Sequence, residues 1–76
     1  MNLSNVREHM KVVGSDRKPV GTVDHIEGDE IKLAKNDPLA GGQHHYIPSD
    51  WVERVDGEQV RLNKSANEAC QQWRTD

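Results

Sequence analysis

The sequence has no phenylalanine, one tyrosine and two tryptophans, so aromatic side chains make up 4% of its 76 residues. Its core must therefore be aliphatic, and hydrophobic residues reach only 33% against 30% charged. A chain this short buries little more than ~60% of the surface its unfolded form exposes, which leaves no core to hollow out for an enclosed ligand cavity. The single cysteine, Cys70, excludes an internal disulfide, whereas an oxidised mini-domain of this size would carry several. No apolar run approaches the ~18 residues of a membrane-spanning helix. Met1–Met10 holds no apolar h-region of a signal peptide. A surplus of cations is missing too: the net charge is −3, opposite in sign to that of a dedicated nucleic-acid binder. The expectation is one cytoplasmic domain, residues 1–76, with neither membrane nor nucleic acid as partner.

What is present reads mainly as strand. Residues 1–9 are polar and predict an arm, with Leu3 and Val6 available to tuck against the body. Met10–Val13 is short and β-branched, ends at Gly14-Ser15-Asp16, and reads as a strand, taken as a sheet edge. Arg17-Lys18-Pro19 completes the turn. Val20–Glu27 carries its apolar residues at Val20, Val23 and Ile26, a spacing of three rather than two, with Gly21 inside the run. A bulge or sharp bend accounts for that spacing. Gly28-Asp29 then suits a two-residue hairpin turn into Glu30–Lys35, where Ile31 and Leu33 alternate with polar neighbours. Asn36–Gln43 is a loop containing Pro38 and Gly41-Gly42. His44–Ile47 reads as a strand stopped by Pro48, and Val52–Val55 with Gln59–Asn63 as a second hairpin around Asp56-Gly57-Glu58.

The two hairpins align without a gap, His25–Lys35 on Arg54–Lys64. Gly28 matches Gly57, Leu33 matches Leu62 and Lys35 matches Lys64. Duplication is one reading; the shared needs of any hairpin with one buried face is the other. Residues 65–74 predict a helix. Ser65-Ala66-Asn67-Glu68 fits a capping box, and Ala66, Ala69, Cys70 and Trp73 share one face. A helix so short must dock, with Trp73 as its anchor.

No Gly-x-Ser-x-Gly, phosphate-cradling loop or paired catalytic carboxylates appear, so the chain reads as non-catalytic and without a cofactor. Cys70 lies on the apolar helix face, where a thiol is inert. The polar and aromatic group Gln43, His44, His45, Tyr46 and Trp51 is the candidate partner-binding surface. Its centre is Gly41–Tyr46, and the strand Met10–Val13 is a second candidate. Trp51 also reads as a core residue, because a small core needs its large side chains. Two other readings compete. His44, His45 and Tyr46, with Asp50 or His25, suggest a metal or small-ligand sensor, yet adjacent strand residues face opposite ways and the ligand set is incomplete. Lys11, Arg17, Lys18 and Lys35 suggest weak nucleic-acid association, diluted by Asp16, Asp24, Glu27 and Asp29.

Val12-Val13-Gly14-Ser15-Asp16-Arg17-Lys18-Pro19-Val20-Gly21-Thr22-Val23 resembles the opening of PRC-barrel domains. Ile47-Pro48-Ser49-Asp50-Trp51-Val52 resembles their later Ile-Pro strand entry. From about Val6 to Trp73 the chain is similar to a family of small bacterial PRC-barrel-like proteins of unknown function, with Gly41–Pro48 and Asp50-Trp51-Val52 carrying the likeness. The resemblance implies a mainly β fold: a small barrel of about six strands over 10–63 and a short C-terminal α-helix. It also implies a docking module that carries no catalytic residues. The functional expectation is a protein-interaction or assembly module whose partner is another protein or a second copy, as a homodimer.

Overall fold

The structure, a computed structural model, describes residues 3–75. Strands β1 (Lys11–Val13), β2 (Pro19–Glu27) and β3 (Glu30–Leu33) come first, followed by β4 (His45–Pro48). A 3-10 turn (Ser49–Trp51) leads into β5 (Val52–Asp56) and β6 (Gln59–Leu62), and the chain ends with helix α1 (Ala66–Gln72) and β7 (Arg74–Thr75). The fold is mainly β, as the sequence predicts.

Seven strands form one sheet in the order β5-β6-β1-β2-β3-β4-β7. The sheet is not closed into a barrel: β5 and β7 are its two ends. All neighbours are antiparallel except β1 and β6, which run parallel. That pairing corrects the reading of Met10–Val13 as an edge. Strand β1 lies in the middle of the sheet, between β2 and β6, so it offers no free backbone to a partner. Sequence neighbours alone suggested an edge, because the second strand beside β1 arrives from nearly fifty residues away.

The threefold spacing along β2 has the expected cause. Val12 pairs with Gly21 and Val13 with Pro19, which leaves Val20 as an extra residue. Val23 pairs with Leu33 and His25 with Lys32, which leaves Asp24 as another. Each extra residue turns the following side chains by one face, so Val20 and Val23 are both buried and Ile26 packs on the core.

The likeness of the hairpins extends to every pairing. Val23–Leu33, His25–Lys32, Ile26–Ile31 and Glu27–Glu30 in the first correspond to Val52–Leu62, Arg54–Arg61, Val55–Val60 and Asp56–Gln59 in the second. The bulges coincide, at Asp24 and Glu53. The amide of Ala34 donates to Thr22 O and that of Asn63 to Trp51 O, both at 2.8 Å. Both turns place a glycine in the left-handed region, Gly28 at φ 60° and Gly57 at φ 62°.

The core is aliphatic: Val12, Val20, Val23, Ile31, Leu33, Ile47, Val60 and Leu62 are its largest fully buried side chains. Of the predicted arm, Val6 joins this core and Leu3 packs against it, and Met10, just ahead of β1, joins it too; positions 1 and 2 lie outside the described residues, as does 76.

Helix α1 begins at the capping box expected for it. Ser65 Oγ accepts from the Glu68 amide, and the Glu68 carboxylate accepts from the Ser65 amide. A second device comes from the Gly14-Ser15-Asp16 turn, which lies against the same helix end. The Ala66 amide donates to Asp16 Oδ1 at 3.3 Å, as does the Lys18 amide, and Ser15 N–H donates to Lys64 O at 2.8 Å. Partial desolvation works to raise the Asp16 carboxyl, but these amides outweigh it and hold it below the ordinary carboxylate value. The helix stops at Gln72, two residues before the expected limit of 74. Trp73 is extended, and Arg74–Thr75 turn into the two-residue β7 beside β4.

Candidate functional site

Strand β4 lies between β3 and β7, and this position decides what its histidines and tyrosine do. His45 is buried. Its Nε2 lies 2.8 Å from Ala40 O; a carbonyl only accepts, so Nε2 carries the proton and donates. Its Nδ1 lies 2.9 Å from the Thr75 hydroxyl. The imidazole stacks on Trp73 with ring centroids 3.9 Å apart and planes 11° off parallel. His44, half-buried just before the strand, donates from Nδ1 to Leu33 O at 2.9 Å.

Tyr46 is buried as well. Arg74 sets its guanidinium 4.1 Å from the ring centroid and reaches Glu30 Oε1 at 2.6 Å, so a cation–π contact and an ion pair fix the final strand. Gln43 is exposed in the loop. Trp51 is half-buried in the 3-10 turn, packed on the core, with the Lys64 ammonium 5.3 Å from its ring centroid.

The five residues singled out in the sequence therefore do not form one exposed patch. His45 and Tyr46 turn into the chain's own contacts, Trp51 belongs to the core margin, and only Gln43 stands in solvent. The signal that misled was composition. A polar-aromatic run looks like a contact surface until a following strand covers it, and a two-residue strand has no periodicity to read. The same contacts weaken the metal reading, since both ring nitrogens of His45 are already engaged. Among the described residues no group of three or more His, Cys, Asp or Glu is placed to hold a metal ion. Cys70 is half-buried, and desolvation pushes its thiol up, which keeps it protonated and a poor nucleophile.

Sequence reading missed the charges on the hairpin faces. On the first hairpin, Glu27 Oε1 lies 2.9 Å from His25 Nε2 and 3.9 Å from Lys32 Nζ, and Asp24 lies 3.2 Å from His25 Nδ1. The hydrogen bond to Glu27 holds the His25 imidazolium above its ordinary value of 6.5 and the Glu27 carboxyl below its ordinary 4.5. A raised imidazole contributes fully below 6.5 and loses its contribution as pH climbs through the folded value. A lowered carboxyl contributes above 4.5 and loses it as pH falls through its own. The pair thus contributes most between those two limits. The melting temperature should fall from pH 6 to pH 8, and the fall should shrink in Glu27→Gln. An unchanged pH slope in the variant would rule out this pair as its source. The groups are solvent-exposed, so screening keeps the effect small.

On the second hairpin Arg54 and Arg61 are directly opposed. Arg54 Nη2 is 4.0 Å from Asp56, and the screened Nε of Arg61 has no hydrogen-bond partner among the described residues. Nearby, an open groove of about 530 Å³ runs between the segment Asn5–Met10 and the end of the second hairpin, at Val55 of β5 and the turn residues Gly57 and Glu58. His9, at φ 72°, stands at its rim and at that of a smaller groove of about 340 Å³ containing Thr22, Asp24 and Asp37.

Residues 6–70 match a family model described as "Uncharacterized protein conserved in bacteria (DUF2171)". No curated protein matches the chain.

Proposed function

The chain belongs to this bacterial family, and from that premise we propose that it is a non-catalytic assembly module that associates through the open edge of its sheet. One observation carries the reading. Among the described residues both end strands have a neighbour on one side only, but β7 is two residues long whereas β5 runs for five, so β5 is the edge with backbone to offer. The closing pair of a two-residue hairpin, here Asp56 and Gln59, exchanges both backbone hydrogen bonds, so the next residue, Val55, turns its N–H and C=O outward. An edge of this kind is a template for another strand. The bulge at Glu53 and the charges of Glu53, Arg54 and Asp56 restrict which strand can use it.

Kinship with PRC-barrel domains belongs to the same proposal, supported by the Gly14-Ser15-Asp16 turn and the Ile47-Pro48 strand. So does a cytoplasmic location, supported by the single cysteine. No helix among the described residues is long and apolar enough to cross a membrane.

Light scattering behind a sizing column, over a tenfold concentration range, tests self-association. The expected mass is near twice 8.6 kDa at the upper end, with the Val55 amide exchanging more slowly there than on dilution. A constant 8.6 kDa with a fast-exchanging Val55 amide throughout would retire pairing between copies.

A further inference from the structure

The two hairpins hold the same cross-strand pair of cations, His25 opposite Lys32 and Arg54 opposite Arg61. Directly opposed residues of an antiparallel pair project from the same face, and like charges placed so repel. The first hairpin resolves this within itself, because the Glu27 carboxylate lies between its two cations. The second has Asp56 at the equivalent position, one methylene shorter. Asp56 reaches only the edge of Arg54, at 4.0 Å. Arg61 makes no ion pair among the described residues, and its screened Nε N–H finds no acceptor.

We propose that the face of the β5–β6 hairpin at Arg54 and Arg61 docks a glutamate or aspartate side chain from an acidic peptide segment of a partner protein. The incoming carboxylate takes the place in the second hairpin that Glu27 takes in the first. Two directly opposed arginines suit a discrete carboxylate, which can accept two N–H donors side by side. A nucleic-acid backbone fits less well, because Glu53, Asp56 and Glu58 interrupt any longer run of cations and leave two arginines, enough for one carboxylate and too few to follow successive phosphates. The site lies on the hairpin's face rather than its edge, so it stands whether or not β5 pairs with another strand.

The test is a titration of 15N-labelled protein at low salt with a capped hexaglutamate peptide, followed through arginine Nε–Hε signals. Hexaglutamine and an oligothymidylate serve as comparisons. The Arg54 and Arg61 signals should move together and saturate with hexaglutamate, and stay still with hexaglutamine. Arg61→Gln should weaken binding about tenfold or more, the loss of a charge-assisted hydrogen bond. Asp56→Glu restores the carboxylate length found in the first hairpin. It should close the site from within, keeping the fold and weakening hexaglutamate binding. The proposal is overturned by still arginine signals at millimolar hexaglutamate, by an Asp56→Glu variant that binds as well as the parent, or by tighter binding of the oligothymidylate.

Discussion

Gly14→Ala should destabilise the fold by about 3 kcal/mol, near the upper end of what overpacking costs. A Cβ at this position would collide with the Ala66 backbone nitrogen and would stand 2.7 Å from Asp16 Oδ1 and 2.8 Å from the Ser65 carbonyl carbon. Two of these are backbone atoms, and the third, Asp16 Oδ1, is a side-chain end held in place by the Lys18 and Ala66 amides. Relief requires the Gly14-Ser15-Asp16 turn to back away from α1, which also loosens the Ala66 and Ser15 hydrogen bonds. In a domain of this size the melting temperature should drop by roughly 12–24 °C. Gly21→Ala supplies the control. Its Cβ would meet Leu33 Cδ1 at 3.5 Å and Asp37 Oδ2 at 3.6 Å, ordinary contacts, so the change should stay within about 1 kcal/mol. Thermal unfolding followed by circular dichroism compares them directly. Equal melting temperatures for the two variants would mean that the turn does not brace the helix.

That result would give a physical meaning to a motif the sequence showed only as a likeness. Gly-Ser-Asp reads as a turn because glycine and aspartate favour turns. That it serves as a second cap on a helix fifty residues later follows only from the packing. The same division runs through the molecule. Gly28-Asp29, the Ser65–Glu68 capping box and the threefold spacing of Val20, Val23 and Ile26 are settled by neighbours in sequence, and each was legible. Pairing of β1 with β6 is settled between distant segments and was not. Nor was β7, whose two residues are held by partners far away, Arg74 by Glu30 and Tyr46, Thr75 by His45. Because β7 went unseen, His45 and Tyr46 looked like surface. The Arg54–Arg61 pair escaped for a related reason, since opposed charges become visible only once the register is known.

The duplication can be weighed in energy as well as in geometry. Leu33 and Leu62 occupy equivalent positions, each closing the bulged end of its hairpin opposite a buried valine, Val23 or Val52. They are 1% and 0% exposed. Truncating either removes the same atoms from the same kind of aliphatic surroundings. Leu33→Ala and Leu62→Ala should each cost about 3–4 kcal/mol, the range for a buried leucine whose cavity cannot fully collapse. The two costs should agree to within about 1 kcal/mol. Urea unfolding at 25 °C measures both, with an unchanged denaturant slope as the sign that only stability has moved. A domain of 76 residues has on the order of 5–10 kcal/mol in total, so either variant alone should stay folded and the double variant should not. If one substitution costs 3 kcal/mol and the other less than 1, the hairpins share a register and not a role. The repeat would then be the common geometry of a bulged two-residue hairpin rather than two equal halves of one core.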